Sequence, residues 1–379
     1  STGSKRPEAL FGGPEPALRM LRSRGCRVWD AAGREYLDFI MALGAVALGY
    51  GHQAVTTAAV EAIEAGGVGS LAPVQEEALA AELRRRMPWV ERARFLKSGA
   101  EAVAAAVRLA RTATGRDRVL GCGYHGWLDW CQGDEAAGVP RATRALYGTV
   151  PFNDAGRTRE CIREAGDSLA AVVFEPVILE PPTPEWLGVL REETTRAGAL
   201  LVVDEIKTVC RLAVGGGCER YGIRPDLVVL GKAMANGFPL AAVGGRAEVM
   251  DGVRRTWISS TLATESVSLA ASAATLRVMD EEQVPAHLTA VGTRLRDGLG
   301  VLAARHEALV AGVAGIPEMC HLRFRAAPLS GRVAAACADR GLLFKRSAYN
   351  FVSLAHDAVV VERALELLDD ALSVVGRSA

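Results

Sequence analysis

Short apolar runs alternate with helical stretches between about residues 90 and 245. The runs cover residues 93–97, 119–121, 169–177, 200–206, 227–231 and 241–244. Strands that are apolar on both faces and separated by helices are typical of a mostly parallel sheet with helices on both sides. The pattern therefore predicts an α/β fold, with a ligand site at the strand ends of the central sheet.

The pattern changes after residue 266. A long helical region extends to about residue 304, a strand is predicted at 321–325, and a terminal helix is predicted at 358–375. We interpret this part as a smaller α/β domain that packs with the N-terminal segment. The predicted division is an N-terminal segment at 1–45, a large domain at 46–275 and a small domain at 276–379.

Composition excludes several classes of protein. The 379 residues include 44 basic and 44 acidic ones, so the formal net charge is zero and no nucleic-acid or membrane surface is indicated. The eight cysteines form no C-x-x-C motif and no metal-like cluster with histidine, so they are expected to be reduced thiols. No apolar run reaches membrane-spanning length and no apolar signal core is evident. We therefore expect a soluble cytoplasmic protein without a metal.

Two of the apolar runs end in charged residues. Asp204 ends the core of the run at 200–206, and Lys232 follows the run at 227–231. A lysine just beyond a buried strand can be desolvated, which favours its neutral, nucleophilic form and suits a Schiff base with an aldehyde. Pyridoxal 5'-phosphate (PLP) most often uses such a lysine, and its ring nitrogen needs a buried carboxylate, for which Asp204 is the candidate. Ordinary charged residues at strand ends are the structural alternative.

The sequence around residue 98 predicts a phosphate site. Ser98, with Glu101 three positions later, makes a capping box, and the alanine-rich residues that follow favour a helix. The free amides and the positive dipole end of such a helix bind anions, and Gly99 and Ala100 leave the backbone open to phosphate oxygens. Helix capping alone is the alternative explanation.

A glycine pattern lies further along the chain. Glycines 121, 123 and 126 match G-x-G-x-x-G. A dinucleotide fold needs this pattern to open a helix, with an acidic residue about 20 positions later, whereas residues 141–149 contain no carboxylate. We interpret the glycines as a loop that presents Tyr124 to a stacked ring, with a packed core tyrosine as the alternative. A nicotinamide-dependent dehydrogenase or nucleotide-binding module remains a remote possibility.

With these motifs the chain resembles the class III (subgroup II) aminotransferases, in the branch that contains glutamate-1-semialdehyde aminomutase. The resemblance covers the full length. It rests on Ser98-Gly-Ala-Glu-Ala, Gly123-Tyr-His-Gly126, Glu175-Pro-Val177, Asp204-Glu-Ile206 and Gly231-Lys232, with further similarity at residues 28–40, 48–52, 350 and 353–356. It implies the PLP-dependent transferase fold type I, with PLP bound by the large domain.

The resemblance also implies roles around the cofactor ring. Lys232 would hold the cofactor aldehyde, Asp204 would hold the pyridine nitrogen, and Tyr124 would stack on the ring. These three residues form the predicted catalytic set. His125 and Glu175, each in one of the shared motifs, complete the predicted surroundings of the ring.

The phosphate would be bound by residues of two chains. The resemblance implies that the amides of Gly99 and Ala100 and the Ser98 hydroxyl bind it. Thr261 matches the threonine that reaches the phosphate of the neighbouring subunit, although a helix N-cap would explain a lone threonine equally well. The implied assembly is a homodimer with shared active sites.

Departures from the family pattern bear on the substrate. Where the family reads T-G-F-R after D-E-V, this chain has Lys207-Thr-Val-Cys-Arg, and a turn ending in Glu265 replaces a glycine-rich turn with asparagine and proline. Ala9 and Leu10 stand where the aminomutases have an arginine before F-G-G. The segments at 39–44, 123–130 and 234–239 instead resemble relatives that aminate sugar and aminoglycoside carbonyls.

The leading hypothesis is an aminotransferase that moves an amino group from an amino-acid donor to a sugar-like or other small carbonyl acceptor in a biosynthetic pathway. Glutamate or glutamine is the default donor for the family. The second hypothesis keeps PLP but makes the enzyme an aminomutase of the glutamate-1-semialdehyde type, an epimerase or a dehydratase. His125 and Lys207 are expected to border the substrate pocket, with a solvated strand end as the alternative for Lys207.

Overall fold

The computed structural model describes residues 5–13, 16, 18–133 and 135–377. The chain divides into two compact units: Ser1–Thr56 with Val278–Ala379, and Thr57–Arg277. The domain bounds read from the sequence remain a prediction.

The strands and helices are as follows. The strands are β1 (Met20–Arg24), β2 (Arg27–Asp30), β3 (Glu35–Asp38), β4 (Arg92–Leu96), β5 (Arg118–Cys122), β6 (Tyr147–Thr149), β7 (Leu169–Phe174), β8 (Leu200–Asp204), β9 (Leu227–Leu230), β10 (Ala241–Gly245), β11 (Val310–Ile316), β12 (Met319–Phe324), β13 (Leu342–Leu343) and β14 (Asn350–Phe351). The helices are α1 (Pro7–Phe11), α2 (Met41–Gly44), α3 (Gln53–Glu64), α4 (Val74–Arg86), α5 (Gly99–Thr114), α6 (Arg141–Arg144), α7 (Ala155–Ala165), α8 (Pro184–Ala197), α9 (Gly216–Tyr221), α10 (Ala247–Met250), α11 (Ser266–Glu281), α12 (Val284–Arg305), α13 (Ala327–Ala338) and α14 (Ala358–Arg377).

The unit Thr57–Arg277 is built on a seven-stranded sheet with the order β4-β10-β9-β8-β7-β5-β6. Strands β5 to β9 pair in parallel, whereas β10 is antiparallel to both β9 and β4. The mostly parallel sheet predicted from the sequence is therefore confirmed. The edge strand β6 was not predicted, because three half-exposed residues carry little apolar signal.

Both faces of this sheet are covered, which explains the unbroken apolar runs. On one face, Val202 packs in a core cluster with α5 residues such as Val107. On the other face, Val203 packs in a second cluster with Trp186 of α8 and Ile162 of α7. Neighbouring residues of one strand therefore enter different cores, as the side-chain alternation of a strand requires.

The topology brings several loops to one edge of the sheet. Parallel strands β5, β7, β8 and β9 end there, and β4 ends there too because it is antiparallel to β10. Strand β10 begins at this edge, since it runs the other way. Residues that follow these ending strands, and those that precede β10, therefore lie along the same edge of the sheet.

The other unit contains two small sheets, with the orders β1-β2-β3-β13 and β11-β12-β14. Helix α12 packs on β11, β12 and α14. The strand predicted at 321–325 is β12, and the helix predicted at 358–375 is α14. The helical region predicted up to about 304 is divided after α11, where Gln283 has a φ of +49°. Among the described residues, no helix is long and apolar enough to cross a membrane.

Candidate active site

A pocket of about 300 Å³ opens at the edge where the strands end. It brings together most of the site residues that were predicted from the sequence. Those that line it are Gly99, Ala100, Tyr124, His125, Glu175, Asp204, Lys207 and Lys232.

Lys232 begins a short 3-10 turn directly after β9. Its backbone lies in the left-handed region at a φ of +45°, which is uncommon for a residue with a side chain. Burial lowers the pKa of its amine from the ordinary value of 10.5, and the nearby positive charge of Lys207 lowers the pKa further. The amine is thereby shifted towards its neutral, nucleophilic form.

Asp204 is held by a histidine from another loop. His125 Nδ1 lies 2.8 Å from Asp204 Oδ2, and Asp204 Oδ1 accepts the amide hydrogen of Ile206 at 3.1 Å. The side chains of His125 and Asp204 are buried. Since an ionised carboxylate only accepts hydrogen bonds, His125 Nδ1 is the donor of this contact.

Tyr124 presents its ring to the pocket. Its side chain is 71% exposed in the single chain, and its amide donates to Glu175 Oε2 at 3.0 Å. Two residues on, Gly126 has a φ of +99°, and a Cβ there would come within 2.7 Å of the Ala100 Cβ. Glycine at 126 therefore lets the tyrosine loop approach the start of α5.

Helix α5 begins with the complete capping box that the sequence predicts. The Ser98 hydroxyl accepts the Glu101 amide hydrogen at 3.3 Å, and Glu101 Oε2 accepts the Ser98 amide hydrogen at 2.9 Å. The amides of Gly99 and Ala100 belong to the first turn, which has no acceptor within the helix. Ser98 itself is exposed and stands beside the lining residues rather than among them.

Lys207 and Glu175 form an ion pair in the pocket wall. Lys207 Nζ lies 2.8 Å from Glu175 Oε1, and the two side chains are 8% and 10% exposed. The alternative of a solvated strand-end lysine is therefore wrong, because the Lys207 side chain is buried. Its ion pair with Glu175 offsets the high cost of burying an ammonium group.

Thr261 lies outside the lining of the pocket. It is exposed, on a turn in which the Ala263 amide donates to the Ser260 carbonyl at 3.1 Å. An ion pair of 2.6 Å between Lys97 and Glu265 joins the end of this loop to the strand end before α5. The role of Thr261 in the site of a neighbouring subunit remains a prediction.

The pocket also contains residues that the sequence did not nominate. They are Lys97, Val103, Trp127, Ile206, Phe238, Pro239 and Leu240. Lys97, Trp127 and Ile206 are close in sequence to predicted site residues, and this closeness could have indicated that they line the pocket. Residues 238–240 reach the pocket because they precede the antiparallel strand β10, which requires knowledge of the sheet order.

These side chains fit PLP. The amine of Lys232 has a lowered pKa, Asp204 is a buried carboxylate, and Tyr124 offers an accessible aromatic face. The first turn of α5 supplies amides for an anion. His125 Nε2 is a buried polar atom that has no hydrogen-bond partner among the described residues, which also marks the pocket as a site for a polar ligand.

The chain is similar to known proteins in both sequence and structure. The family model described as Aminotransferase class-III matches residues 12–375. A glutamate-1-semialdehyde 2,1-aminomutase of Thermus thermophilus is 34% identical over 398 residues, which cover 95% of this chain and 92% of that protein.

Two solved structures extend the likeness to the fold. The FumI protein of a Sphingopyxis species, determined in a PLP form, has a TM-score of 0.92 and 30% identity over 96% of this chain and 90% of that chain. An omega-transaminase from Sphaerobacter thermophilus has a TM-score of 0.87 and 29% identity over 96% and 92%. The predicted transferase fold type I is confirmed.

Proposed function

Because the chain belongs to the class III aminotransferases, which are PLP-dependent enzymes, we propose that it transfers an amino group from an amino-acid donor to a sugar-like or other small carbonyl acceptor. The observation that carries the proposal is the convergence of Lys232, Asp204 and Tyr124 with the first turn of α5 in one pocket.

Lys232 both anchors the cofactor and moves the proton. Its neutral amine binds the cofactor aldehyde, and bound PLP supplies the electron sink for chemistry at the substrate amino carbon. With PLP and a donor amine bound, the Lys232 amine would be the group that moves a proton at the substrate amino carbon. The lowered pKa favours this role because an ammonium ion has no lone pair to accept the proton.

Asp204 keeps the pyridine nitrogen protonated. Its carboxylate is buried and is held in place by the contact of 2.8 Å with His125. A fixed negative charge in a site of low dielectric stabilises the positive ring nitrogen more strongly than a mobile one does. His125 thus acts on the cofactor through Asp204.

Tyr124 and the start of α5 position the cofactor. The exposed ring of Tyr124 stacks on the pyridine ring, and the amides of Gly99 and Ala100 bind the phosphate. Because the Ser98 hydroxyl already contacts Glu101, we assign Ser98 primarily to holding the helix start in place.

The proposed assembly is a homodimer in which Thr261 serves the site of the partner subunit. The unit Thr57–Arg277 exposes many large apolar side chains, which supports an interface. They include Val60, Ile63, Val68, Leu71, Val74, Trp257 and Leu262. Leu262 is the direct neighbour of Thr261, so an interface there would bring this threonine to the partner.

The acceptor is proposed from the departures in sequence. An alanine stands at position 9 and a charged turn ends in Glu265, and both differ from the aminomutase pattern. The second candidate, an aminomutase, is favoured by the name of the relative from Thermus thermophilus. Isotope transfer separates the two, because only the proposed aminotransferase moves nitrogen from glutamate or glutamine to a different carbonyl compound.

The experiment supplies ¹⁵N-labelled glutamate or glutamine together with a panel of keto-sugars, and glutamate-1-semialdehyde in a parallel reaction. Label appearing in an amino sugar, with no isomerisation of the semialdehyde, supports the proposal. Isomerisation of the semialdehyde without transfer from either donor would replace it with the aminomutase. The Lys232→Ala protein is the control in both reactions, since it keeps the fold but lacks the amine.

A further inference from the structure

Glu175 uses both carboxylate oxygens within the pocket wall. Oε1 contacts the Lys207 ammonium group at 2.8 Å, and Oε2 accepts the Tyr124 amide hydrogen at 3.0 Å. Glu175 directly follows β7, whereas Lys207 lies three residues after the end of β8. The pair therefore joins two neighbouring strand ends to the loop that carries the aromatic ring.

The loop before Tyr124 is pressed against Glu175. Gly123 has a φ of +114°, and a Cβ at this position would lie 2.5 Å from Glu175 Oε2. The carboxylate is thus confined between this glycine and Lys207, and a small shift of Glu175 must move the Tyr124 amide as well. Loss of the Lys207 charge would leave a buried carboxylate without its counter-ion, which is strongly unfavourable.

The same pair lies beside Lys232, whose surroundings contain several charges. Lys207 and Arg211 disfavour the protonated amine, while Glu175 and Asp204 favour it. The remaining histidine and lysine side chains of the pocket have their own partners: His125 contacts Asp204, and Lys97 contacts Glu265. Lys207 and Glu175 have opposite effects on Lys232, so they offset each other as long as both are present.

We propose that Lys207 is a positioning residue of the active site: through its ion pair with Glu175 it fixes the loop that carries Tyr124, and it balances the Glu175 charge next to Lys232. The proposal rests on the proposed function, since it takes Lys232 as the lysine that binds the cofactor. It gives a purpose to a lysine that is buried and ion-paired in the pocket wall.

A double-mutant cycle of variants that remove these charges tests the proposal. The variants are Lys207→Met, Glu175→Gln and the double variant, each purified with PLP and titrated in the absence of substrate by the visible absorbance of the bound cofactor. Lys207→Met should raise the pH midpoint by about 1 unit or more, because Glu175 then acts on the Lys232 nitrogen without compensation. Glu175→Gln should lower the midpoint, because Lys207 then acts alone. The double variant should return close to the wild-type midpoint.

Lys97→Met is the matched control, because it removes a second lysine of the pocket that is paired away from Lys232. It should leave the midpoint within a few tenths of a unit, because neither Lys97 nor Glu265 is among the main charges that shift the pKa of Lys232. Circular dichroism of each variant establishes folding, and the double variant keeps the test valid if a single variant unfolds. Midpoints that do not move in the folded single variants, or a double variant displaced as far as Lys207→Met, would overturn the proposal.

Failure of this proposal is distinguishable from failure of the proposed function. If the absorbance of wild-type protein disappears in Lys232→Ala, the assignment of Lys232 stands whatever the double-mutant cycle shows. A supporting kinetic result is a shift of the pH profile of kcat in Lys207→Met in the direction of its absorbance midpoint. An unchanged profile with only a higher KM would instead make Lys207 a substrate contact and contradict the positioning role.

Discussion

His125 and Asp204 are 79 residues apart in the sequence, yet His125 Nδ1 lies 2.8 Å from Asp204 Oδ2 in a buried contact. The histidine directly follows Tyr124, the proposed stacking residue, so one loop carries both the proposed ring platform and the group that contacts the carboxylate. This arrangement couples two parts of the cofactor site that come from different strand ends.

Removal of the histidine should weaken catalysis more than cofactor binding. His125→Ala leaves Asp204 without this donor; in metal sites, loss of a group that orients a ligand costs about 10- to 100-fold. We expect a similar loss in the rate of the first half-reaction with an amine donor, measured in single turnover. The fraction of bound PLP should change little. A His125→Ala protein that reacts at the wild-type rate would show that Asp204 needs no support from His125.

Substitution of the neighbouring residues Asp204 and Glu205 should affect different properties, namely turnover for Asp204 and stability for Glu205. Glu205 is fully buried and accepts the amide hydrogens of Gly217 and Cys218 at 2.8 and 2.6 Å, so it holds the start of α9. Asp204→Asn should retain PLP and lose about 10²-fold or more in turnover. Glu205→Gln should instead lower the free energy of unfolding by about 1–3 kcal/mol.

Chemical denaturation and turnover of both variants check this prediction. Near-normal turnover in Asp204→Asn would make this carboxylate merely structural. Equal losses of turnover in the two variants, with unchanged stability, would contradict the division of roles.

Lys232 should destabilise the protein without its cofactor at neutral pH. Its pKa in the folded chain lies below the ordinary value of 10.5, so the unfolded chain binds more protons between these two values. Stability due to this group therefore rises as the pH increases through that window. We expect Lys232→Met to raise the Tm of the cofactor-free protein at pH 7, with a difference from wild type that shrinks towards pH 10. A constant difference across this range would show that the effect is packing and not charge.

The proposed sharing of each site between two subunits predicts complementation. In a mixture of Lys232→Ala and Thr261→Ala proteins, subunit exchange should produce heterodimers in which one site carries both changes and the other carries neither. Activity should exceed the sum of the two separate variants. This holds because loss of a charge-assisted phosphate contact, worth about 1.5–3 kcal/mol, should impair Thr261→Ala on its own. Verified exchange without recovery of activity would assign Thr261 to its own chain or to no site.

The sequence predicted much of this site because its parts follow a simple rule. Lys232 and Asp204 end apolar runs, and parallel strands that end at one edge bring such residues together without further information. The capping box at Ser98 was equally local, since both partners lie three residues apart. Local patterns of this kind can be read directly from the chain.

The ion pairs of the pocket could not be predicted from local sequence patterns. Lys97 and Glu265 are 168 residues apart, and Lys207 and Glu175 come from different strand ends. The partner of each charge depends on strand order and loop path, which periodicity does not specify. For the same reason the edge strand β6 and the antiparallel direction of β10 emerged only with the fold.

We propose that Lys232, and no other lysine of the pocket, binds PLP. Lys97 and Lys207 line the same pocket, so the claim distinguishes between three amines. Purified protein should absorb near about 400 nm, as expected of PLP linked to a lysine. Reduction with sodium borohydride should then fix the cofactor for peptide mass spectrometry. We expect the cofactor on the peptide that contains Lys232, and its recovery on Lys97 or Lys207 instead would show that this assignment is wrong.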